Sequence, residues 1–578
     1  MSKRSGAAHV VTTSRTYKDK TYKCHLLRRS YREDGKVKSE TLANLSHLPP
    51  HVIELIRRAL KGEQLAGVDD ILDIEASPQH GNVQAVLGAM RSLGFADLVA
   101  SKGSRERDLV IAMVAARVLS PRSKLATTRW WNATTLPKQL GVEDASEDDL
   151  YAAMDWLLKK QKVIEKKLAA RHLQEGGLVL YDLSSSYFEG RNCPLAALGH
   201  SRDRKKGTLQ VNYGLVTDAL GCPVSVSVFP GNTSDSTTLL GEVEKVRSRF
   251  GIDSLAIVGD RGMITEKQFD ELAQQEDVAW ITALKTGALR DLQKRGALQL
   301  GLFDKRNLFE FSDPDRPDER FVACRNEALA ERRARKRQSL IEATVAKLEH
   351  VQKMVEAGRL EGSAKIGVRV GKIINAHKVG KHFDLEITDD ALSFEVNTER
   401  VEQEALLDGV YVIRTSVPKE SLSAKDAVLA YKRLTSVERA FRSLKTVDLH
   451  VRPIRHWAEG RVRAHIFLCM LAYYVQYHMQ EAWRQLLFFD EELWARERVD
   501  PVAPAKRSAS AEQKARQKVT DEGHPVHSFR TLLDELGGIV CNRCRRKGAS
   551  QEEAVVDIET KPTELQRTAL DLLGQIAV

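Results

Sequence analysis

The chain has 578 residues, of which 89 are Lys or Arg and 79 are Asp or Glu, so its formal net charge is +10. This length predicts several domains with apolar cores, and the basic balance favours a polyanionic partner, although ribosome-associated or membrane-surface proteins share that balance. Seven cysteines, an odd number scattered along the chain, argue against a disulfide framework and for a reducing compartment. We expect a cytoplasmic protein, because Met1–Lys20 lacks an apolar signal core and Ala464–Tyr477 is too short to span a bilayer.

The first 175 residues divide into a basic β region and a helical region. Two short strands are expected around the turn signal at Asp34 and Gly35, so residues 1–75 are interpreted as a basic N-terminal tail and β-hairpin region. Helical patterning follows from about Asn82 onward and predicts a helical DNA-binding domain over residues 76–175.

Three basic residues of that helical region, Arg122, Lys124 and Arg129, surround the helix break at Pro121. A basic rim at such a break is the layout expected of a domain that binds DNA ends. A helical packing module with a charged rim would show the same pattern, so both interpretations stay open.

Two short apolar runs each end in an aspartate. Gly177–Asp182 and Leu255–Asp260 are bounded by turn-forming residues, which predicts strands buried on both faces, as in a parallel sheet. Strand ends lying side by side would bring the two carboxylates together, where they repel one another unless they share cations such as Mg²⁺ or Mn²⁺. An aspartate after an apolar run is also a common turn former or helix N-cap, which is the simpler interpretation of either residue alone.

The segment between and after the two aspartates predicts the rest of a mixed sheet. Gln210–Thr217 and Pro223–Phe229 have strand patterns on either side of a turn, and Ser234–Phe250 has the pattern of one amphipathic helix. Val278–Lys285 is expected to be the last strand of this core. The first part of the core is therefore assigned to residues 176–289.

A long interval then separates Asp260 from Glu438, the next acid considered, and this interval must contain its own structure. Strand-like pieces lie at Phe309–Phe311, Arg320–Cys324, Phe383–Ile387 and Val410–Thr415. With a charged helix at Asn326–Ala357, they predict a mixed β/helix insertion domain over residues 290–417. Five basic residues cluster on that helix: Arg332, Arg333, Arg335, Lys336 and Arg337. A DNA-backbone contact is one interpretation, and a solvated charged face is the other.

The segment from Tyr431 to Lys445 has the strongest local pattern in the chain. Tyr431, Glu438 and Lys445 recur every seven residues, which is almost two turns of a helix, so their side chains would share one stripe. Arg442 joins the stripe one turn after Glu438, and an apolar stripe beside it would pack the helix on a sheet. The result would be an acid among phosphate-binding groups, in a second part of the core at residues 418–485. A glutamate and a lysine on one helix face can also be simply solvated.

Residues 486–578 are assigned to a C-terminal helical region that contains a flexible loop rich in small, polar and basic residues. Within it, Cys541 and Cys544 have the spacing of half a zinc site. No second pair completes four ligands, so two ordinary thiols are expected.

Together these residues resemble the bacterial insertion-sequence transposases of the DDE class, in the branch with a Tyr-Arg-Glu-Lys signature and a long insertion before the catalytic glutamate. The likeness is carried by Asp182 in Tyr181–Gly190, Asp260 in Val258–Met263, and Glu438 between Tyr431 and Lys445. Four further segments resemble the family in the expected order: Gly207–Asp218, Phe229–Thr233, Asp408–Thr415 and Arg452–Arg455. The resemblance covers most of the chain.

The resemblance implies a multi-domain α/β protein. Its core would be a ribonuclease H-like mixed sheet interrupted by the insertion domain, with helical N- and C-terminal domains. It also implies two Mg²⁺ or Mn²⁺ ions per active site, held by Asp182, Asp260 and Glu438, with Tyr431 and Lys445 as contacts to DNA phosphates. Strand, hairpin, helix and strand follow one another around the aspartates in the order that such a sheet requires.

The chain departs from the signature at one position. The family places an arginine four residues before the glutamate, where this chain has Leu434, with Arg433 immediately before it. Arg433 is carried over as a DNA-binding candidate, and Arg442 could supply the missing guanidinium because arginine grips phosphate bidentately. Arg261, beside the second aspartate, is a further phosphate candidate, with a plain turn as its simpler interpretation.

We therefore expect a DNA transposase that cuts at insertion-sequence ends by metal-dependent phosphoryl transfer and joins the 3′-hydroxyls to target DNA. Its partners would be the terminal inverted repeats, the target DNA and a second copy of the chain on paired ends, with no membrane and no small-molecule substrate. It would act at the nucleoid. The alternatives are a catalytically silent, transposase-derived DNA-binding protein and a two-metal nuclease without strand transfer. A binding-only protein has no chemical use for the three acids, and only use of the 3′-hydroxyl separates the nuclease from the transposase.

Overall fold

The computed structural model describes residues 6–17, 20–33, 35–63, 72–203, 205–299, 301–304, 306–492, 500–547 and 554–577. The chain divides into two compact units: Met1–Ser77 with Cys541–Thr560, and Pro78–Val540 with Lys561–Val578. No helix among the described residues is long and apolar enough to cross a membrane.

The described part of the smaller unit contains two antiparallel sheets and a helix. The first sheet has the order β1-β2-β3 and consists of β1 (Ala8–Tyr17), β2 (Lys20–Glu33) and β3 (Lys36–Asn44). The predicted hairpin is confirmed as the β2–β3 pair, with Gly35 in the left-handed region at φ +76°, which glycine adopts without a steric penalty. Asp34 lies outside the described residues.

The second sheet of the smaller unit joins N- and C-terminal segments. After α1 (Pro50–Leu60) comes β4 (Leu72–Ala76), which pairs with β15 (Cys541–Arg546), and β15 pairs with β16 (Val556–Glu559). Cys541 and Cys544 are buried on β15.

The N-terminal part of the larger unit is helical, as predicted. Its helices are α2 (Gly81–Ser92), α3 (Phe95–Val99), α4 (Arg105–Leu119), α5 (Lys124–Trp130), α6 (Leu136–Leu140) and α7 (Glu147–His172). A capping box begins α7, with Ser146 and Asp149 each accepting a hydrogen bond from the other's backbone N–H. Because α4 is apolar on nearly every side, it is buried from Leu109 to Leu119.

Eight strands form the central mixed sheet of the larger unit, in the order β10-β11-β14-β9-β8-β5-β6-β7. They are β5 (Gly177–Tyr187), β6 (Gln210–Thr217), β7 (Pro223–Pro230), β8 (Leu255–Val258), β9 (Val278–Ala283), β10 (Leu308–Asp313), β11 (Arg316–Arg325) and β14 (Val410–Thr415). The strand β8 is parallel to β5 and to β9, and the other pairs are antiparallel.

Two sequence predictions about this sheet are wrong. β9 is not its last strand, because the β-branched run of β14 is apolar on both faces and is buried as an interior strand between β9 and β11. Ser234–Phe250 is not one helix: a 3₁₀ turn at Asp235–Thr237, a short α8 (Leu239–Glu244) and a π-turn at Lys245–Arg249 replace it. Hydroxyls near its start hydrogen-bond to backbone carbonyls, which competes with regular helix formation.

The segment between β11 and β14 leaves the sheet and builds its own core. After α9 (Glu266–Ala273) and α10 (Thr286–Lys294) beside the sheet, the chain forms α11 (Glu327–Glu356), α12 (Ser363–His377), β12 (Phe383–Ile387), β13 (Leu392–Val396) and α13 (Thr398–Ala405). The predicted charged helix is α11. Its buried side chains, among them Leu348 and Val351, pack with Ile366 and Phe383 in a separate apolar cluster.

The remaining helices are α14 (Ala424–Lys432), α15 (Leu434–Arg442), α16 (Glu459–Ala482), α17 (Ala509–Gln517), α18 (Phe529–Leu536) and α19 (Glu564–Leu573). The apolar segment Ala464–Tyr477 lies within α16, and most of its side chains are buried. The prediction of a flexible loop in the C-terminal region is wrong for Ala509–Gln517, which form α17. There the ammonium of Lys514 is buried because it donates to the carbonyls of Arg484 and Leu487 and pairs with Glu491.

Candidate active site

Parallel pairing places the first two acids side by side. β5 and β8 are paired up to Leu180↔Val258, so Asp182 and Asp260 each lie two residues after this last pair. Asp182 is still within β5 and pairs with Leu215 of β6, whereas Asp260 begins the turn after β8. The prediction that the two strands are parallel neighbours is confirmed, but the prediction that the first strand ends at its aspartate is wrong, because β5 continues along β6 to Tyr187.

One oxygen of each aspartate is oriented by a neighbouring donor. The backbone N–H of Leu183 donates to Asp182 Oδ1 at 2.7 Å, and that of Arg261 donates to Asp260 Oδ1 at 2.8 Å. The hydroxyl of Tyr431 donates to the same Asp260 oxygen at 3.2 Å. No described residue hydrogen-bonds to Oδ2 of either carboxylate, so this oxygen is available to a ligand.

The third acid is held over the strand ends by α15, which packs on β5. Its apolar stripe is buried, as predicted, at Leu434, Val437, Phe441 and Leu444. The ring of Phe441 meets Tyr213 of β6 edge-on, with centroids 5.8 Å apart. At Gly221, φ is +95° and an added Cβ would lie 2.7 Å from the Cβ of Ser436, so only glycine allows this close approach to α15. Glu438 itself projects from the exposed side of the helix.

The three acids line one cavity of about 500 Å³, which we call the acid cavity. Among the predicted residues, Arg261 and Tyr431 line it as well. The charged helix α11 contributes Leu329 and Arg333, and Leu434 lies in the wall at the position where the signature has an arginine. Arg333 is one of five basic residues clustered on α11, and nothing in the sequence distinguishes it as the one that lines the acid cavity.

Burial is the largest cause that raises the pKa of Asp182, to about 7. The carboxylates of Asp260 and Glu438 act in the same direction, and the Leu183 N–H and the Arg202 guanidinium act against it. Burial and the Asp260 carboxylate also raise the pKa of the Tyr431 hydroxyl above its usual range. Carboxylate oxygens such as those of the three acids are the hard donors that a divalent cation prefers.

Three predicted phosphate contacts lie outside the acid cavity. Arg433 donates to the carbonyl of Ala219 at 3.5 Å, and Arg442 is exposed on α15. Lys445 is buried and donates to Asp203 Oδ1 at 3.2 Å, and Asp203 also forms an ion pair with Arg452.

The single helix expected from Tyr431 to Lys445 is wrong. α14 ends at Lys432, α15 begins at Leu434, and a π-turn follows at Ser443–Val447. The wider π-turn takes Lys445 off the predicted stripe and toward Asp203. Tyr431 and Glu438 share the acid cavity, but Lys445 does not.

The three basic residues at the predicted helix break lie in a different place from the acids. Arg122 and Arg129 are exposed, and Lys124 is buried at 4 % exposure. Lys124 and Arg122 line a second cavity, which has no lining residue in common with the acid cavity.

Two family models match the chain. Residues 189–475 match the transposase DDE domain, and residues 10–69 match the N-terminal domain of IS1634 family transposases. The first match includes Asp260 and Glu438 and begins shortly after Asp182.

No curated protein matches the chain. A solved cryo-EM structure of the piggyBac transposase synaptic complex with hairpin DNA covers 78% of this chain and 77% of its own, at 10% identity and a TM-score of 0.32. A similarity at that level carries no argument about fold or function.

Proposed function

Because the chain belongs to the insertion-sequence transposases of the DDE class, we propose that it cleaves DNA at the ends of its insertion sequence and joins the 3′-hydroxyls to target DNA. The observation that carries the proposal is the meeting of Asp182, Asp260 and Glu438 in one cavity. A protein that only binds DNA has no chemical use for three carboxylates that line one cavity. Strand transfer at two ends further suggests a homodimer on paired DNA ends.

A ribonuclease H-like core is part of the same proposal. It is supported by the strand order β7-β6-β5-β8-β9, in which β5, β8 and β9 are parallel and β6 is antiparallel between β5 and β7. The strands β14, β11 and β10 then extend this sheet, and the segment from α11 to α13 is the insertion. The domain boundaries given above remain our proposal, with these three strands added to the core sheet.

DDE transposase domains use divalent cations, and the carboxylate oxygens of the three acids are the hard donors that such ions prefer. We infer that Asp182, Asp260 and Glu438 hold two Mg²⁺ or Mn²⁺ ions. Bound there, the ions would neutralise charge at the scissile phosphate and acidify the attacking water or 3′-hydroxyl.

The chain's own groups orient these acids and the DNA. The hydroxyl of Tyr431 and the Arg261 N–H fix Asp260, so that its second oxygen remains directed to a ligand. Arg261 and Arg333 line the acid cavity, and their guanidinium groups would bind the phosphodiester. Because Leu434 lines the same wall, we infer that Arg333 replaces the guanidinium that the signature places at that position.

The test is cleavage and joining of DNA that carries the element's own terminal inverted repeats. Wild type is compared with Asp182→Asn, Asp260→Asn and Glu438→Gln, and with Asp270→Asn, an exposed carboxylate of α9, as the matched control. We expect both products to disappear in the three variants, with DNA binding retained and the control unchanged. Wild type that binds but never cuts with Mg²⁺ or Mn²⁺ would support the silent DNA-binding alternative. Cutting without joining, when the cleaved ends carry 3′-hydroxyls, would support the nuclease.

A further inference from the structure

The second cavity of the larger unit, which we call the cationic pocket, has a volume of about 320 Å³. One wall is the junction of α4 and α5, with Arg117, Arg122 and Lys124, and the other is the segment before α16, with Arg455 and His456. No aspartate or glutamate lines it.

Lys124 is the group that the pocket leaves without a partner. It is 4 % exposed and lines the pocket, and no described residue gives its ammonium a hydrogen bond or an ion pair. Burial and the neighbouring Arg117 lower the pKa of Lys124 to about 7. A buried ammonium is unfavourable unless an anion compensates it, so its environment indicates a missing negative ligand.

The other guanidinium groups of the pocket already have partners. Arg117 donates to the carbonyls of Leu449 and Arg122, at 3.5 and 3.2 Å, and so ties the two walls together. Arg452 pairs with Asp203, and Arg455 pairs with Glu189. These arginines are therefore engaged within the fold, and Lys124 remains for a ligand.

We propose that the cationic pocket binds a backbone phosphate of DNA at a distance from the scissile bond, with Lys124 as the principal contact. The inference rests on the proposed function, which supplies DNA as the polyanion. Arg122 is exposed at the pocket and continues its positive charge to the surface, as a polymeric anion requires and a free ion does not. The DNA strand would contact the protein at two separate places, the acid cavity and this pocket.

Binding is measured by fluorescence polarisation, without divalent metal and in the Asp182→Asn background, on a duplex with the terminal repeat and on a random duplex of equal length. Lys124→Met should weaken binding to both roughly tenfold to a hundredfold, as expected for loss of one charge-assisted contact. It should also reduce the slope of log affinity against log salt by about one. Lys124→Arg keeps the cation and should retain most of the affinity. Lys162→Met, an exposed lysine of α7, is the control for net charge and should leave binding unchanged.

Two results would overturn the inference. One is equal DNA affinity and salt slope for Lys124→Met and the Lys162→Met control, with both variants folded as judged by circular dichroism. The other is stabilisation of the wild type, but not of Lys124→Met, by millimolar inorganic phosphate while DNA binding stays the same, which would assign the pocket to free phosphate. Because no cleavage is measured, a failure of the proposed chemistry at the acids would not change either outcome.

Discussion

The acid cavity and the cationic pocket lie in one unit, and each contains an ionisable group whose pKa is shifted by burial. In the first, burial raises the pKa of Asp182 to about 7, and in the second, burial lowers the pKa of Lys124 to about 7. Elsewhere the chain pairs its buried charges, as in the buried Arg414 with Glu319 and in Arg337 with Asp408. Because pairing is the rule in this fold, an unpaired buried charge indicates a place where the partner is a ligand.

The network of Asp203, Lys445 and Arg452 in the same unit follows that rule. Its carboxylate is 2 % exposed and is shared by two cations, which are thereby engaged within the fold. Paired charges of this kind stabilise the fold, whereas Asp182 and Lys124 are available to a ligand. The following substitutions test this difference, from the largest expected effect to the smallest.

Asp203→Asn would remove the carboxylate shared by Lys445 and Arg452 and leave two poorly solvated cations facing each other. Breaking a buried ion pair destabilises by about 3–5 kcal/mol, so urea unfolding should show a loss in that range. The control is Asp235→Asn, which breaks the more exposed pair with Arg202 and should cost about 1 kcal/mol or less. Equal losses in the two variants would contradict a structural role for the network.

Arg333→Ala should slow DNA cleavage by roughly tenfold to a hundredfold, because a charge-assisted hydrogen bond to the phosphate is lost. Arg332→Ala changes an exposed arginine of the same helix and should have little effect. Adding Leu434→Arg to Arg333→Ala would return a guanidinium to the cavity wall and should restore part of the rate. A cleavage rate that does not distinguish the two single variants would refute the role of Arg333.

Asp182→Asn and Lys124→Met should both stabilise the ligand-free protein, each by on the order of 1 kcal/mol, because each removes a buried, uncompensated charge. Thermal unfolding with EDTA and without DNA measures this directly. Mg²⁺ should raise the unfolding temperature of the wild type and not that of Asp182→Asn. A lower unfolding temperature for either variant would show that its charge has a partner within the fold.

The smallest effect concerns pH. Burial lowers the pKa of His465 well below its usual range, and His456, Arg117 and Lys124 lower it further. The unfolded chain protonates this imidazole near pH 6.5 but the folded chain does not, so stability is present above that pH and lost as the pH falls below it. Between about pH 7.5 and 5.5, the wild type should lose about 1 kcal/mol more than His465→Gln. The exposed His51→Gln variant should follow the wild type, and parallel losses in all three proteins would contradict the prediction.

Local patterns were sufficient for the strands that position Asp182 and Asp260. Each apolar run is short and bounded by turn formers, and a parallel register follows once both are buried in one sheet. Glu438 is different, because its local pattern also fits a solvated helix face, and only the resemblance to a family selected it.

The remaining features depend on contacts between distant parts of the chain. The capture of Lys445 by Asp203 joins residues on separate elements, and no spacing along the helix indicates it. Arg333 lines the acid cavity because α11 begins directly after β11, which the charge of that helix cannot reveal. In the sequence, Lys124 has the pattern of a surface residue on a basic rim. Only the structure shows that it lines one pocket with His456, a residue distant in the chain.

The way in which the segment between β11 and β14 leaves the sheet has a consequence for how the chain can change. β11 and β14 pair as far as Arg325↔Val410, and the N–H of Asn326 donates to the carbonyl of Gly409 at 2.9 Å. In topology the whole excursion is the tip of a hairpin, and a tight turn could take its place without altering the order of strands. A chain shortened in this way would keep Asp182, Asp260 and Glu438 and lose Arg333. The three acids and this phosphate contact could therefore change independently of one another.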